Sequence, residues 1–262
     1  MYNCLSIAGS DCSGGAGIQA DIKTFSANGV FGMSVITSVV AENTCRVISV
    51  RDMDEEIIRD QIDAVFEDIR VDGVKLGMLS NAAIMNAVAE KLVQYRADKV
   101  VADPVMVAKG GCALMHPEAL TALKTKIIPI SYMLTPNIPE AETITGMKIG
   151  DVRSMREAAK AIFSMGAATV LVKGGHLDGE AVDVLYDGKD FYEFVTERIN
   201  TKNTHGTGCT LSSAITANIA KGLEPEQAVR AAKDYVTMAI KHSLRIGRGH
   251  GPTNHFFAFF EN

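Results

Sequence analysis

The chain has 262 residues, of which 47% are hydrophobic and 22% charged, proportions that are ordinary for a globular protein with a substantial core. Its formal net charge of -5, without a long run of one sign, argues against a nucleic-acid partner, which requires a basic surface. Neither a signal peptide nor an apolar window long enough to span a membrane is evident, so a soluble, cytoplasmic protein is expected. The five cysteines are odd in number and form no C-x-x-C pair, which predicts reduced thiols.

Strand and helix patterns alternate along the chain. In chain order, the predictions are a strand at 3–8, a helix at 18–28, strand 33–40, helix 54–69, strand 74–76, helix 81–95, strand 99–102, helix 117–126, strand 132–134, a helix opening at Asn137, helix 154–165, strand 169–172, a hairpin of 182–186 and 191–195, and helices 207–221 and 225–245. This alternation predicts an α/β protein with a three-layer α/β/α arrangement, a mainly parallel central sheet and a late β-hairpin. No linker or repeat divides the chain, so a single domain over residues 1–262 is expected.

Residues suited to ligand binding follow the predicted strands. In open α/β sheets, ligands bind beyond the carboxyl ends of the strands, which predicts one shared site at that edge. The residues in these positions are Gly9, Asp11, Glu42, Gly77, Asp103, Asn137 and Lys173.

The segment 204–210 reads as a glycine-rich turn leading into a helix. The start of a helix offers free backbone N–H groups and the positive end of the dipole, so the turn predicts a phosphate site. The alternative is that its glycines only let the helix pack closely on the sheet. A helix start also favours the thiolate of Cys209, although a cysteine is often just a small buried residue.

Three further patterns each have a functional and a structural interpretation. The loop 13–17 could hold a small substrate close to the backbone, or it could be only a tight turn. Asn137 and Glu140 have the spacing of a capping box, but Glu140 could also lie near magnesium together with Asp103. Lys173 could reach a phosphate, or it could be a solvated lysine at the end of a strand.

Seven motifs occur along the chain: AGSD at 8–11, SGGAGIQAD at 13–21, KLGML at 75–79, DPVM at 103–106, TPNIPEA at 135–141, KGGH at 173–176 and NTHGTGCT at 203–210. Together they strongly resemble the hydroxymethylpyrimidine/phosphomethylpyrimidine kinases of thiamin synthesis, in the ribokinase superfamily. The motifs occur in that family's order, and the resemblance runs from about residue 3 to Phe260.

The resemblance implies a ribokinase-like fold and the use of ATP with Mg2+. It implies phosphorylation of the 5-hydroxymethyl group of 4-amino-5-hydroxymethyl-2-methylpyrimidine, and then of the monophosphate to the diphosphate. The implied roles are the pyrimidine pocket for Gly9, Asp21, Glu42, Met78 and Val105, ATP binding for Asn137, Lys173 and Thr207, the metal for Asp103 and Glu140, and catalysis for Cys209 with Gly206 and Gly208. Cys209 stands where most of the superfamily carries a catalytic aspartate, and its thiolate is expected to accept the alcohol proton.

Glu42 departs from the family pattern, which usually has glutamine there. An ionised glutamate can only accept hydrogen bonds, so it would repel the ring nitrogen unless one of the two groups is protonated. This departure leaves open a pyridoxal/pyridoxine kinase or an enzyme that serves both alcohols. Cys112 is expected in a lid loop over the substrate, without assigned chemistry.

Two readings from other functional classes also stay open. Cys209 and His205 could be the nucleophile and base of a thiol hydrolase. Alternatively, the chain could be a non-catalytic module that binds small molecules. A homodimer is suggested only by analogy with ribokinase-like relatives.

Overall fold

The fold is described from a computed structural model that covers residues 1–108, 111–175 and 181–260. The strands are β1 (Asn3–Asp11), β2 (Phe31–Glu42), β3 (Val47–Asp52), β4 (Gly73–Leu76), β5 (Val100–Ala102), β6 (Met133–Leu134), β7 (Thr169–Val172), β8 (Ala181–Tyr186) and β9 (Phe191–Thr196). The helices are α1 (Gly17–Ala27), α2 (Glu55–Phe66), α3 (Ala82–Gln94), α4 (Ala119–Ala122), α5 (Ile138–Thr145), α6 (Val152–Phe163), α7 (Thr207–Ala220) and α8 (Pro225–Lys241).

The strands form one continuous sheet in the order β3-β2-β1-β4-β5-β6-β7-β8-β9. The strands from β2 to β7 in this order are parallel to one another. At one edge β3 runs antiparallel to β2, and at the other β8 and β9 form an antiparallel hairpin beside β7. The mainly parallel sheet and the late hairpin are thus confirmed. All the parallel strands end at the same edge of the sheet, where a ligand site is expected.

Two buried apolar clusters hold helices against the sheet. Residues of α2, α3, α5 and α6 contribute to the larger cluster, and α7 and α8 contribute to the second. Helix α7 is buried from Thr210 to its end because small side chains let it approach the sheet closely. At Gly73 of β4, an added Cβ would lie 3.2 Å from side-chain atoms of both Thr216 and Ala220. The close packing of α7 therefore holds its first turn at the carboxyl edge of the sheet.

The sequence prediction missed β3 and overestimated the helix at 117–126. Every residue of β3 is partly or fully exposed, so the segment lacks the buried apolar run on which strand prediction depends. Helix α4 has only one regular turn before the chain widens into a π turn over Leu123–Ile127 and then tightens into a 3-10 turn over Ile128–Ile130. Other predicted ends differ from the observed ones by a few residues, as is usual for helix and strand boundaries.

Within the part of the chain that the structure covers, no helix has the length and apolar character needed to cross a bilayer. The continuous sheet includes strands from residues 3 to 196, which supports the expected single domain. The domain boundary at residues 1–262 stays a prediction.

Helix α2 offers a matched test of this packing. Ile58 is fully buried, whereas the neighbouring Ile57 is 43% exposed. We expect Ile58→Ala to lower the free energy of unfolding by about 2–5 kcal/mol, because it removes buried methyl groups and leaves a cavity. Ile57→Ala, the control, should cost less than about 1 kcal/mol. Urea unfolding of the two variants measures the difference, and equal losses would contradict the orientation of α2.

Candidate active site

A cavity of about 1160 Å³ opens at the carboxyl edge of the parallel strands. Twelve of the thirteen predicted site residues line it, and Asp21 does not. The twelve are Gly9, Glu42, Met78, Asp103, Val105, Asn137, Glu140, Lys173, Gly206, Thr207, Gly208 and Cys209. Five of the seven residues predicted at strand ends, Gly9, Glu42, Asp103, Asn137 and Lys173, thus line one cavity, whereas Asp11 and Gly77 do not line it. The individual roles of these residues stay predictions.

The first glycine-rich loop folds around the carboxylate of Asp11. One oxygen accepts from the backbone N–H of Ser13 at 2.7 Å, and the other accepts from Gly15 at 3.0 Å and Ala16 at 2.7 Å. Burial by itself would raise the pKa of Asp11, but these bonds and that from His205 outweigh it and lower the pKa to about 2. Asp11 is therefore a fixed negative charge, and it shapes the loop at the end of β1.

The turn before α7 lies directly against this loop. Gly206 has a φ of +76° and precedes the first residue of α7. A Cβ at Gly206 would overlap the backbone carbonyl of Gly15, so both the conformation and the contact require glycine there. Thr207, Gly208 and Cys209 form the first turn of α7 and line the cavity. The free N–H groups and positive dipole end of this turn make it suited to a phosphate.

A lysine–aspartate pair borders the same turn. Lys173 Nζ lies 2.6 Å from Asp103 Oδ1, which also accepts a 3.3 Å bond from the Thr135 hydroxyl. A Cβ on Gly208 would lie 3.4 Å from Asp103 Oδ2 and 3.7 Å from Lys173 Nζ. Because Gly208 has no side chain, the helix start and this charged pair can face the same bound group.

The position of Glu140 is compatible with both interpretations that the sequence left open. Its carboxylate accepts from the Asn137 N–H at 2.8 Å, and the Asn137 side chain accepts from the Glu140 N–H at 2.9 Å, which completes a capping box for α5. The same carboxylate lines the cavity near Asp103. Burial raises the pKa of Glu140, Lys173 opposes the rise and Asp103 adds to it, with the net result of a pKa of about 7. When both are ionised, Asp103 and Glu140 carry more negative charge than the single Lys173 neutralises. An additional positive charge is therefore favourable beside them.

Cys209 lies in a less polar setting than its helix position suggests. Burial raises the pKa of the thiol to about 11; Lys75 opposes this rise, whereas Asp21 and Asp103 add to it. The expectation that the helix start lowers the pKa of Cys209 is therefore wrong for the protein without its substrates. Desolvation outweighs the opposing charge of Lys75, and the thiol is protonated at neutral pH.

Asp21 is the predicted site residue that lies outside the cavity wall. It is fully buried, and its carboxylate binds Lys75 Nζ at 2.7 and 2.9 Å. The hydroxyls of Ser6 and Ser213 donate to it at 2.6 and 2.8 Å. Lys75 itself lines the cavity, although sequence reasoning gave it no role. The signal was a lysine inside the buried strand β4, because a buried lysine requires a partner.

Glu42 lies in a cluster with Asp11 and His205. One ligand atom of each residue lies within 4.8 Å of the others, and His205 Nε2 is 2.9 Å from Asp11 Oδ2. Burial and the charge of Asp11 raise the pKa of Glu42 to about 7, while His205 opposes the shift. The predicted lid residue Cys112 is exposed and does not line the cavity.

The buried Lys75–Asp21 pair provides a stability test. Asp21→Ala leaves the Lys75 ammonium buried without its carboxylate, so we expect a loss of about 3–5 kcal/mol in the free energy of unfolding. Glu226→Ala breaks the exposed Glu226–Arg230 pair and should cost less than about 1 kcal/mol. The combination of Asp21→Leu with Lys75→Met should recover most of the loss. Denaturant unfolding measures the free energy of unfolding of each variant. A loss for Asp21→Ala as small as that for Glu226→Ala would contradict the stabilising role of the buried pair.

Comparisons with known proteins agree with this geometry. A family model described as phosphomethylpyrimidine kinase matches residues 11–254. A hydroxymethylpyrimidine/phosphomethylpyrimidine kinase of Bacillus subtilis is 51% identical, with 100% of this chain and 97% of the relative covered. A thiamine biosynthesis bifunctional protein of Geobacter sulfurreducens is 51% identical over 97% of this chain and 52% of its own length. The crystal structure of a Bacillus subtilis pyridoxal kinase in an ADP complex superposes with a TM-score of 0.92 at 42% identity, over 100% of both chains. The chain belongs to the phosphomethylpyrimidine kinase family.

Proposed function

We propose that this chain is a hydroxymethylpyrimidine/phosphomethylpyrimidine kinase. It transfers the γ-phosphoryl group of ATP to the 5-hydroxymethyl group of 4-amino-5-hydroxymethyl-2-methylpyrimidine, and then phosphorylates the monophosphate, for thiamin synthesis. The observation that carries the proposal is the position of the α7 start, with Cys209, in one cavity together with the Lys173–Asp103 pair and the pocket around Glu42. The 51% identity to a kinase of this name supports the choice of substrate.

The ATP side of the cavity is assigned to Asn137, Lys173 and Thr207. Lys173 offers a point charge to a phosphate, and the first turn of α7 offers backbone N–H groups. Leu211, Val236 and Ile240 add apolar wall suited to an adenine ring. Phosphoryl transfer depends mainly on positioning and on the neutralisation of charge, and these groups supply both.

The donor set fits Mg2+. Asp103 and Glu140 offer carboxylate oxygens beside the proposed phosphate site, and magnesium prefers one or two carboxylates together with phosphate oxygens. The raised pKa of Glu140, caused by burial and by Asp103, indicates that added positive charge is favourable there. When bound, the ion neutralises charge on the β- and γ-phosphates. Lys173 holds Asp103 in place through their 2.6 Å contact.

The acceptor side is assigned to Gly9, Glu42, Met78 and Val105. A Cβ at Gly9 would lie 2.7 Å from Met78 Cε, so the missing side chain lets the thioether pack against the backbone of β1. Met78 and Val105 give the pocket an apolar wall, and Glu42 gives it one polar side chain. A pocket with an apolar wall and one polar side chain suits an aromatic ring that has polar atoms on one edge. Asp21 serves the site indirectly, through Lys75.

Cys209 is assigned the role of proton acceptor for the substrate alcohol. With its pKa raised to about 11 by burial, only a small fraction is thiolate at neutral pH. A loose transition state leaves the alcohol proton in place until late and needs little base strength, so a small thiolate fraction can suffice. The nearby ammonium of Lys75 favours the thiolate.

The second candidate is a pyridoxal/pyridoxine kinase or an enzyme with both activities. The superposition on the Bacillus subtilis pyridoxal kinase favours it. Two other readings find less support. A thiol hydrolase needs a reactive thiolate, whereas burial raises the pKa of Cys209 to about 11, and His205 contacts Asp11. A binding module without activity does not explain the charged transfer site. Use of ATP favours a cytoplasmic location, and a homodimer is proposed by analogy.

The product assay is the direct test of the function. The purified chain is incubated with ATP, Mg2+ and either the pyrimidine alcohol or pyridoxal, and the mono- and diphosphates are followed over time. We expect the pyrimidine diphosphate to form through the monophosphate. A kcat/KM for pyridoxal above that for the pyrimidine would move the assignment to the second candidate.

The role of Cys209 predicts a pH dependence. Below a pKa of about 11 the thiolate fraction rises tenfold per pH unit, so the single-turnover rate with both substrates saturating should rise about tenfold per unit from about pH 6 to about pH 9. Cys209→Ala should lose at least about tenfold of that rate with little change in ATP affinity. Rapid-quench measurements determine both.

Two variants serve as controls for this test. Cys209→Asp supplies a carboxyl whose ordinary pKa of about 3.9 is far below that of a thiol, so even with the rise that burial causes at this position its rate should level off above neutral pH. Cys45→Ala, at an exposed cysteine outside the cavity wall, should leave the rate unchanged. Full activity of Cys209→Ala would remove the thiol from the chemistry and leave the backbone N–H groups as the contribution of this turn.

A further inference from the structure

Glu42 faces a negative charge that the fold keeps in place. The Asp11 carboxylate is held by the N–H groups of Ser13, Gly15 and Ala16, which fix its orientation beside Glu42. The hydrogen bond from His205 and these backbone bonds lower its pKa to about 2 despite its burial, so it stays ionised at all physiological pH values. An ionised Glu42 would add a second negative charge within 4.8 Å of the first.

The other titratable groups around Glu42 do not cancel this effect. His205, from the segment before α7, opposes it but is itself 2.9 Å from Asp11. The thiol of Cys12 donates to the backbone carbonyl of Glu42 at 3.1 Å, not to its carboxyl. On the C-terminal side, the His250 amide donates to the backbone carbonyl of Thr44. The net result of burial and Asp11 is a Glu42 pKa raised to about 7.

From this cluster we infer that Glu42 binds the acceptor as a neutral carboxylic acid, which Asp11 keeps protonated, and that acceptor binding above neutral pH takes up one proton. The inference rests on the proposed function, because it concerns how that same pocket recognises a 4-aminopyrimidine. Asp11 is then a positioning residue for specificity: it acts on the substrate through the charge state of Glu42.

The chemistry of the two partners is complementary in this state. A neutral carboxyl has one O–H donor and one carbonyl acceptor, the same pair that a glutamine amide presents. The edge of a 4-aminopyrimidine has a ring-nitrogen acceptor beside an amine donor. The Glu42 O–H donates to the ring nitrogen, and its carbonyl oxygen accepts from the amine. If the proton moves to the ring, the complex has the same composition, so the count of one proton does not depend on its position.

This proton links affinity to pH. Below about pH 7 free Glu42 already carries the proton, so it takes up none when the acceptor binds. Above that value the proton must come from solvent, so the affinity should fall about tenfold for each pH unit, or about 100-fold by pH 9. The affinity falls as the pH rises because the neutral form of the Glu42 carboxyl is the one that binds. That form is lost when the pH rises above the raised pKa of Glu42.

Calorimetric titration of the whole chain with the pyrimidine alcohol, in the absence of ATP, tests the inference. Paired buffers with different ionisation enthalpies count the protons taken up at each pH. For the wild type we expect uptake of about one proton at pH 9, near zero at pH 6, and the 100-fold loss of affinity between about pH 7 and pH 9. Glu42→Gln, which presents the same donor and acceptor without titrating, should show no uptake and a flat affinity.

A second pair of variants tests the part played by Asp11. Asp11→Asn removes the facing charge, so the pH at which the affinity begins to fall should move below that of the wild type. Asp98→Asn, at an exposed position outside the cavity wall, should leave it unchanged. If Asp11→Asn fails to fold because it loses its backbone bonds, the comparison of the wild type with Glu42→Gln still decides.

The outcomes separate this inference from the proposed function. An alcohol that binds and is phosphorylated, but with no proton uptake at pH 9, would overturn the inference and leave the kinase assignment intact. Persistence of the uptake in Glu42→Gln would overturn it as well, because the proton would belong to another group. An alcohol that neither binds nor is phosphorylated at any pH would overturn both.

Discussion

The contact between the first glycine-rich loop and the turn before α7 is the constraint on which the site depends. Gly206 adopts a left-handed conformation and lies so close to the Gly15 carbonyl that no side chain fits between them. His205 reinforces the contact through Asp11, and its amide donates to the Gly251 carbonyl at 3.1 Å. Segments almost 200 residues apart in the sequence thus meet at one point. The helix start proposed to bind phosphate and the proposed acceptor pocket are therefore positioned by a single set of contacts.

The Lys75–Asp21 pair shows how the sheet places a charge in an otherwise apolar layer. Taking an ammonium and a carboxylate out of water is costly, and the attraction between them offsets that cost only when further hydrogen bonds complete the site. The hydroxyls of Ser6 and Ser213 complete it. The same ammonium lowers the pKa of Cys209, against the larger effect of burial. A residue from the middle of strand β4 thereby influences the reacting edge of the sheet.

Much of this architecture could be predicted from the sequence because the buried strands are short apolar runs and the helices have apolar faces. The strand-end rule placed Asp103, Asn137 and Lys173 together before any contact was known. Strand β3 was not predicted from the sequence, because the strand is defined by its pairing with β2 and not by buried residues. The lysine in strand β4 signals that a buried partner exists, but the local sequence does not show that this partner is Asp21.

The pKa of Cys209 could not be predicted from its position in the chain, since the helix start and the surrounding apolar walls act in opposite directions. Only the packing shows that desolvation is the larger effect. The Asp11–His205 contact joins residues 194 positions apart, and sequence reasoning gave His205 only the role of a hydrolase base. At Glu140, in contrast to Cys209, the two interpretations of the sequence do not oppose each other. One side chain is compatible with both the structural and the functional interpretation of its motif.

The continuity of the large cavity has a consequence for the path of the phosphorus atom. Because one open space of about 1160 Å³ reaches from Lys173 to Glu42, donor and acceptor can occupy it at the same time, with the start of α7 between them. Transfer can then pass directly from one bound molecule to the other, in line, without a phosphorylated side chain as an intermediate. A single direct displacement inverts the configuration at phosphorus. A chiral γ-phosphoryl group would therefore arrive on the alcohol with the opposite handedness.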